Sequence, residues 1–228
     1  MEAKIQDEGR VLLINKPLQW TSFDVVNKLR YKLKIKKIGH AGTLDPLATG
    51  LLIICVGKMT KQIESFMGME KEYTGTFVLG QTTPSYDLET EVSEKKDISG
   101  VTPEAIALAV KSLTGKISQL PPAHSAIKIG GKRAYKFARK GKEVELQPRE
   151  VEVKEFEITS FRLPELHFRI VCSKGTYIRS LARDIGETLG VGAYLSQLCR
   201  TRIGTYKLEN ALSIDDVTPT EHADILRP

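Results

Sequence analysis

Gly39-His40-Ala41-Gly42-Thr43-Leu44-Asp45-Pro46-Leu47-Ala48-Thr49-Gly50-Leu51-Leu52 holds one carboxylate among fourteen residues, with His40 counted neutral. Pro46 pushes Asp45 away from the right-handed helical region, and Gly39, Gly42 and Gly50 permit backbone geometry closed to other residues. Asp45 is therefore expected in a shaped loop. The stretch continues into Leu51-Leu52-Ile53-Ile54-Cys55-Val56, an apolar run of strand length, so the carboxylate should sit at the edge of a core. Spacing alone leaves two readings open: Asp45 closes an Asx-turn with backbone amides, or it does chemistry.

Outward from this loop, Val11 to Ile14 reads as a strand. Thr21-Ser22-Phe23-Asp24 then starts a helix in the manner of a capping box, with Val25, Val26, Leu29 and Leu33 near helical spacing. Tyr73 begins an alternating strand that ends near Gly80, and Asp87 to Asp97 is acidic enough to predict a surface connection. Thr102-Pro103 opens a helix that stops at Gly115. His167 to Cys172 is a strand, followed by a helix that Thr176 could cap, with Ile178, Leu181, Ile185 and Leu189 as its apolar stripe. Tyr177 and Arg179 fall in that helix's first turn, where free amides attract anions. Strands alternate with helices, and no Gly-rich dinucleotide fingerprint is present, which predicts an α+β fold on a mixed sheet.

The chain has 228 residues, 41% hydrophobic and 27% charged, an ordinary globular balance. Its apolar runs are too short for a membrane span and its N-terminus lacks the apolar region of a signal peptide, so no membrane and a cytoplasmic location are expected. Cys55, Cys172 and Cys199 are scattered, as are the four histidines. Neither zinc spacing nor a disulfide framework emerges, so no metal and no cofactor are expected. Net charge is +6, and Lys128 to Arg149 carries eight basic residues against Glu143 and Glu145. A second cluster, Lys28, Arg30, Lys32, Lys34, Lys36 and Lys37, contains no acid and leads into the Asp45 loop. Basic residues mixed with Tyr135, Phe137 and Gly130-Gly131 suit a phosphate backbone better than a merely solvated face.

Asn15-Lys16-Pro17-Leu18-Gln19-Trp20-Thr21-Ser22, the Asp45 loop, Lys71-Glu72-Tyr73 and Ser173-Lys174-Gly175-Thr176-Tyr177-Ile178-Arg179-Ser180 occur in one order. Together they resemble the TruB family of tRNA pseudouridine synthases, from about residue ten to Gly204. The resemblance implies the pseudouridine synthase fold: a mixed, mostly antiparallel central sheet flanked by helices, with a basic thumb-like RNA-binding insertion at about 121–150. It implies a single catalytic domain over 1–228. Many members carry a C-terminal PUA domain, whereas here only a short tail follows Gly204.

The implied reaction converts a uridine in the T arm of tRNA (position 55) to pseudouridine, with base flipping. Asp45 would be the nucleophile, Arg179 its ion-pair partner, and Tyr73 the ring that stacks on the base. The resemblance also makes Tyr177 and Leu198 pocket-lining residues and sends His40 into the RNA loop. Lys16 and Lys128 are expected as phosphate contacts, with Lys132 and Arg133 in the basic insertion. The expected partner is tRNA, with neither a guide RNA nor a protein partner required. Two alternatives stay open: a tRNA-binding chaperone without essential chemistry, and a guide-RNA-dependent catalytic subunit resembling dyskerin.

Overall fold

The computed structural model describes residues 9–125, 128–129, 132–133, 137 and 146–218. The chain forms two compact units, one comprising the chain up to Thr74 together with the chain from Leu198, the other Gly75–Gln197. The division falls inside two strands, so no linker composition marks it in the sequence.

In the first unit, β1 (Arg10–Lys16) pairs antiparallel with β3 (Ala48–Val56), and β2 (Ile38–Ala41) pairs antiparallel with β3. The C-terminal part of β10 (Ala193–Ile203) runs parallel to β3, with Leu198 opposite Ala48. β11 (Tyr206–Lys207) pairs antiparallel with β10. The opening stretch is thus a β-hairpin whose first strand already holds His40, and Asp45 lies in the loop between its arms.

The unbroken run Leu51–Val56 has a plain cause: β3 is buried on both faces. Leu52, Ile54 and Val56 pack with Val25, Val26 and Leu29 of α1 (Ser22–Leu33), while Leu51, Ile53 and Cys55 pack with Phe66 of α2 (Ile63–Gly68). A strand covered on one face would have alternated. Cys55, enclosed in this layer, has its thiol pKa pushed up to about 11 by burial. The capping box at α1 forms as expected, Thr21 and Asp24 each bonding the other's backbone. The helix ends where Lys34 turns left-handed at φ 53°.

In the second unit the strand order is β10, β4 (Lys71–Leu79), β9 (Glu165–Cys172), β8 (Arg149–Arg162) and β5 (Gly115–Gln119), with β8 antiparallel to both its neighbours. β4, like β10, runs through both units. Phe77 stacks on Phe168 at 4.1 Å between ring centroids, with Phe156 edge-on at 6.3 Å. α3 (Pro103–Ser112), capped by Thr102 with Pro103 at its first position, packs against β8 and α4 (Ile178–Thr188). Backbone residues Lys128–Ile129 (β6) and Lys132–Arg133 (β7) form a short antiparallel pair inside the basic segment.

Two local expectations fail. Thr176 does not cap α4; its hydroxyl donates to Ser173 O at 3.0 Å, and Tyr177 takes the cap position. Asp87 is buried, although the tract it opens is largely exposed. Acidic composition describes that segment on average and misses the one residue turned inward.

Candidate active site

The Asp45 loop is gripped from three directions within its own unit. Ser22 Oγ donates to Leu44 O at 3.2 Å and accepts from Leu44 N at 2.9 Å, tying the residue before Asp45 to the start of α1. The Lys16 ammonium donates to Trp20 O at 2.6 Å, Pro17 O at 2.9 Å and Pro46 O at 3.4 Å, and Gln19 N adds 2.8 Å to Pro46 O. Arg200 donates through Nε to Leu51 O at 2.8 Å and through Nη2 to Gly42 O at 3.1 Å, with Nη1 at 3.5 Å from Thr43 O. The turn itself is closed by backbone, Ala48 N to Asp45 O at 3.1 Å.

Gly50 lets Arg200 approach: a Cβ there would lie 2.4 Å from Arg200 O, and its φ of +101° disfavours any side chain. Lys16 and Arg200 are 0% and 1% exposed. Burial, with the Arg200 charge adding to it, lowers the Lys16 pKa to about 8, while the field of half-buried Asp45 works to raise it. A carboxylate beside two enclosed cations is favoured in its ionised form.

In the second unit, Arg179 is buried on α4. Its Nη2 donates to His124 O at 2.9 Å and its Nη1 to Ser85 O at 3.2 Å, and Nε lies 3.5 Å from Asp87 Oδ2. Asp87 is itself fixed: Glu89 N donates to Oδ1, and Thr83 and Ser85 hydroxyls donate to its carbonyl. Gln119 straddles Tyr177, accepting from its N at 2.8 Å and donating to its O at 3.1 Å. The Arg149 guanidinium stacks over the Tyr177 ring at 4.7 Å and bonds Gly175 O.

Residues 30–178 match the TruB family pseudouridylate synthase N-terminal domain, and residues 179–225 match the tRNA pseudouridylate synthase B C-terminal domain. The chain belongs to the TruB family. A protein of Flavobacterium johnsoniae named tRNA pseudouridine synthase B is 54% identical over 91% of this chain and 93% of its own length. One of the same name from Chlorobaculum tepidum is 48% identical over 93% of this chain and 91% of its own. Among solved structures, a chain of a Cbf5-Nop10-Gar1 complex aligns with a TM-score of 0.73 at 30% identity over 95% of this chain. This chain spans only 55% of that longer one. A pseudouridylate synthase at 17% identity and a TM-score of 0.50, covering 91% of this chain, shares the fold. The α+β pseudouridine synthase fold expected from the sequence is the fold of this TruB chain.

Within this TruB framework, register brings Leu198 beside the Asp45 loop, since it faces Ala48 and its carbonyl lies 3.4 Å from Thr49 Oγ1. His40 is half-buried on β2 opposite Ile54, and Tyr73 is buried on β4. Tyr177 and Arg179 sit together at the start of α4. Lys16 departs from expectation. An ammonium wholly enclosed and engaged by three carbonyls is a brace for the loop, and it has no path to a solvent phosphate. Lys128, Lys132 and Arg133 are placed by backbone alone, and Tyr135, Lys136, Arg139 and Lys140 lie outside the described residues.

Sequence reading missed Ser22, Arg200, Asp87 and Gln119. Each acts across more than twenty residues of chain, and none sits in a local pattern. The one signal within reach was Gly50 facing a buried arginine, which needs the strand pairing to be seen.

Proposed function

We propose that this chain converts the uridine at position 55, in the T arm of tRNA, to pseudouridine, with Asp45 as nucleophile. The coarser reaction, uridine to pseudouridine in tRNA, is that of the family to which the chain belongs. The observation that carries the finer reading is the Asp45 loop, held by Ser22, Lys16 and Arg200 so that a single carboxylate is presented on a fixed backbone. Fixing the attacking group beforehand removes reorganisation from the barrier.

The isomerisation breaks the N1–C1′ bond, turns the base and joins C5 to C1′; the proton leaving C5 is balanced by the one gained at N1. No electrons are exchanged, so the chemistry needs no redox cofactor. Asp45 acts by attack at C1′ or C6, or by supporting elimination to a glycal. The uridine first leaves its stack, at a cost of a few kcal/mol that stacking inside the pocket offsets. Tyr73 stacks on the base, Tyr177 and Leu198 line the pocket, and Arg179 keeps Asp45 ionised. His40 fills the space the uridine vacates, and the basic segment with Lys128, Lys132 and Arg133 holds the T arm in the cytoplasm. Among the described residues no helix is long and apolar enough to cross a membrane.

Purified protein with unmodified tRNA and position-resolved pseudouridine detection tests this reading. Asp45→Asn should form no product while retaining tRNA affinity; product from the purified variant would reject the nucleophile. His40→Ala should weaken binding or flipping, and complete loss of turnover at saturating tRNA with normal flipping would contradict its space-filling role.

A further inference from the structure

Three large apolar side chains stand in solvent near the Asp45 loop: Leu18 is 54% exposed, Phe23 59% and Tyr31 88%. Phe23 and Tyr31 are on α1, whose apolar stripe of Val25, Val26 and Leu29 is already buried against β3. The two rings therefore have no part in the core. At about 100° per residue, Phe23, Asn27, Arg30 and Tyr31 share an arc of roughly 100°, and the rings stand about 12 Å apart along the axis.

Cations surround them. Lys28, Lys34, Lys36 and Lys37 are exposed, and Arg30 is steadied by Asn27 Oδ1 at 2.6 Å. The single acid of the helix, Asp24, is engaged by the Thr21 amide and hydroxyl, which lower its pKa. The surface also begins beside the site, because the first residue of α1 is the serine that grips Leu44.

We infer that the outer face of α1 is a second RNA contact: a stacking platform on which Phe23 and Tyr31 take unpaired bases of the tRNA outside the T arm, while Arg30 and Lys34 hold the intervening phosphates. This rests on the reading of tRNA as substrate and adds a surface to it. Exposed rings between cations suit bases, since every base has a π-face. A separation of about 12 Å exceeds one 3.4 Å step of a stacked strand, so the rings serve different nucleotides. A lipid surface would want the helix's apolar stripe, and here that stripe faces the sheet.

The test measures affinity of the full chain for unmodified tRNA and for an isolated T-arm stem-loop. Phe23→Ala/Tyr31→Ala should weaken tRNA binding by about tenfold or more, given roughly fivefold or more per stacked base, and leave the stem-loop affinity as in the wild type. Tyr31→Phe should bind tRNA normally. Arg30→Gln/Lys34→Gln should lower the slope of log affinity against log salt by about two. Unchanged tRNA affinity in the double alanine variant overturns the platform, as does an equal loss on the stem-loop. Loss of binding to anionic vesicles with tRNA binding intact would reassign the face to a membrane and overturns it too. Failure of the underlying reading would look different: wild-type protein would form no pseudouridine on either RNA.

Discussion

Arg200 and Lys16 hold the Asp45 loop by charge and geometry at once, and the two can be separated by substitution. Arg200→Met removes donors from three carbonyls. Buried acceptors left without partners should cost about 2–4 kcal/mol of stability in all, and turnover should fall further than tRNA affinity because the loop loosens. Arg200→Lys can restore charge without the planar fork, so partial recovery of stability with poor recovery of turnover is expected; urea unfolding and single-turnover kinetics measure both.

Lys16 makes a pH prediction. Its folded pKa, about 8, lies below the ordinary 10.5. Between those values the unfolded chain keeps a proton that the folded chain has released, so through this group stability rises with pH over that window. Lys16→Met should flatten that part of the profile in urea unfolding between pH 7.5 and 10.5.

At the scale of elements, the signals written into neighbouring residues were legible. The Thr21–Asp24 cap, the Thr102-Pro103 start and the strands around Ile14, Phe77 and Ile170 all follow from local chemistry. Thr21→Ala should cost about 1 kcal/mol in thermal or chemical unfolding. What failed was the start of α4, where Thr176 competes with its own backbone and a glutamine from β5 clamps the turn instead. Residue type cannot choose between those partners. Gly50 marks the other limit: its left-handed φ and its contact with Arg200 O arise from the β3–β10 pairing. Gly50→Ala should cost about 1–3 kcal/mol from backbone strain alone, with the clash adding to it, and calorimetry would register the loss.

At the scale of the molecule, Asp45 belongs to one compact unit and Arg179 to the other. Their proposed ion pair is open to a double-mutant cycle: if they act as a pair, Asp45→Asn and Arg179→Met should be strongly non-additive in tRNA binding or stability, and simple additivity would dissolve the pairing. The basic segment makes the companion prediction. Replacing Lys132, Arg133, Lys136, Arg139 and Lys140 together should reduce both tRNA affinity and its salt dependence, and an unchanged slope would refute the contact.

By itself the sequence determined the family, the helix caps, the buried strand and the carboxylate that stands alone at its edge, because each rests on residues close together in the chain. Tertiary structure decided which side chains hold that carboxylate's loop and which hold Arg179. Lys16 turned inward to brace, Ser22 and Arg200 became clamps, and Asp87 left its acidic tract to meet an arginine. A buried charge takes whatever partners the fold brings within about 3 Å, and chain spacing says nothing of those until the strands have paired.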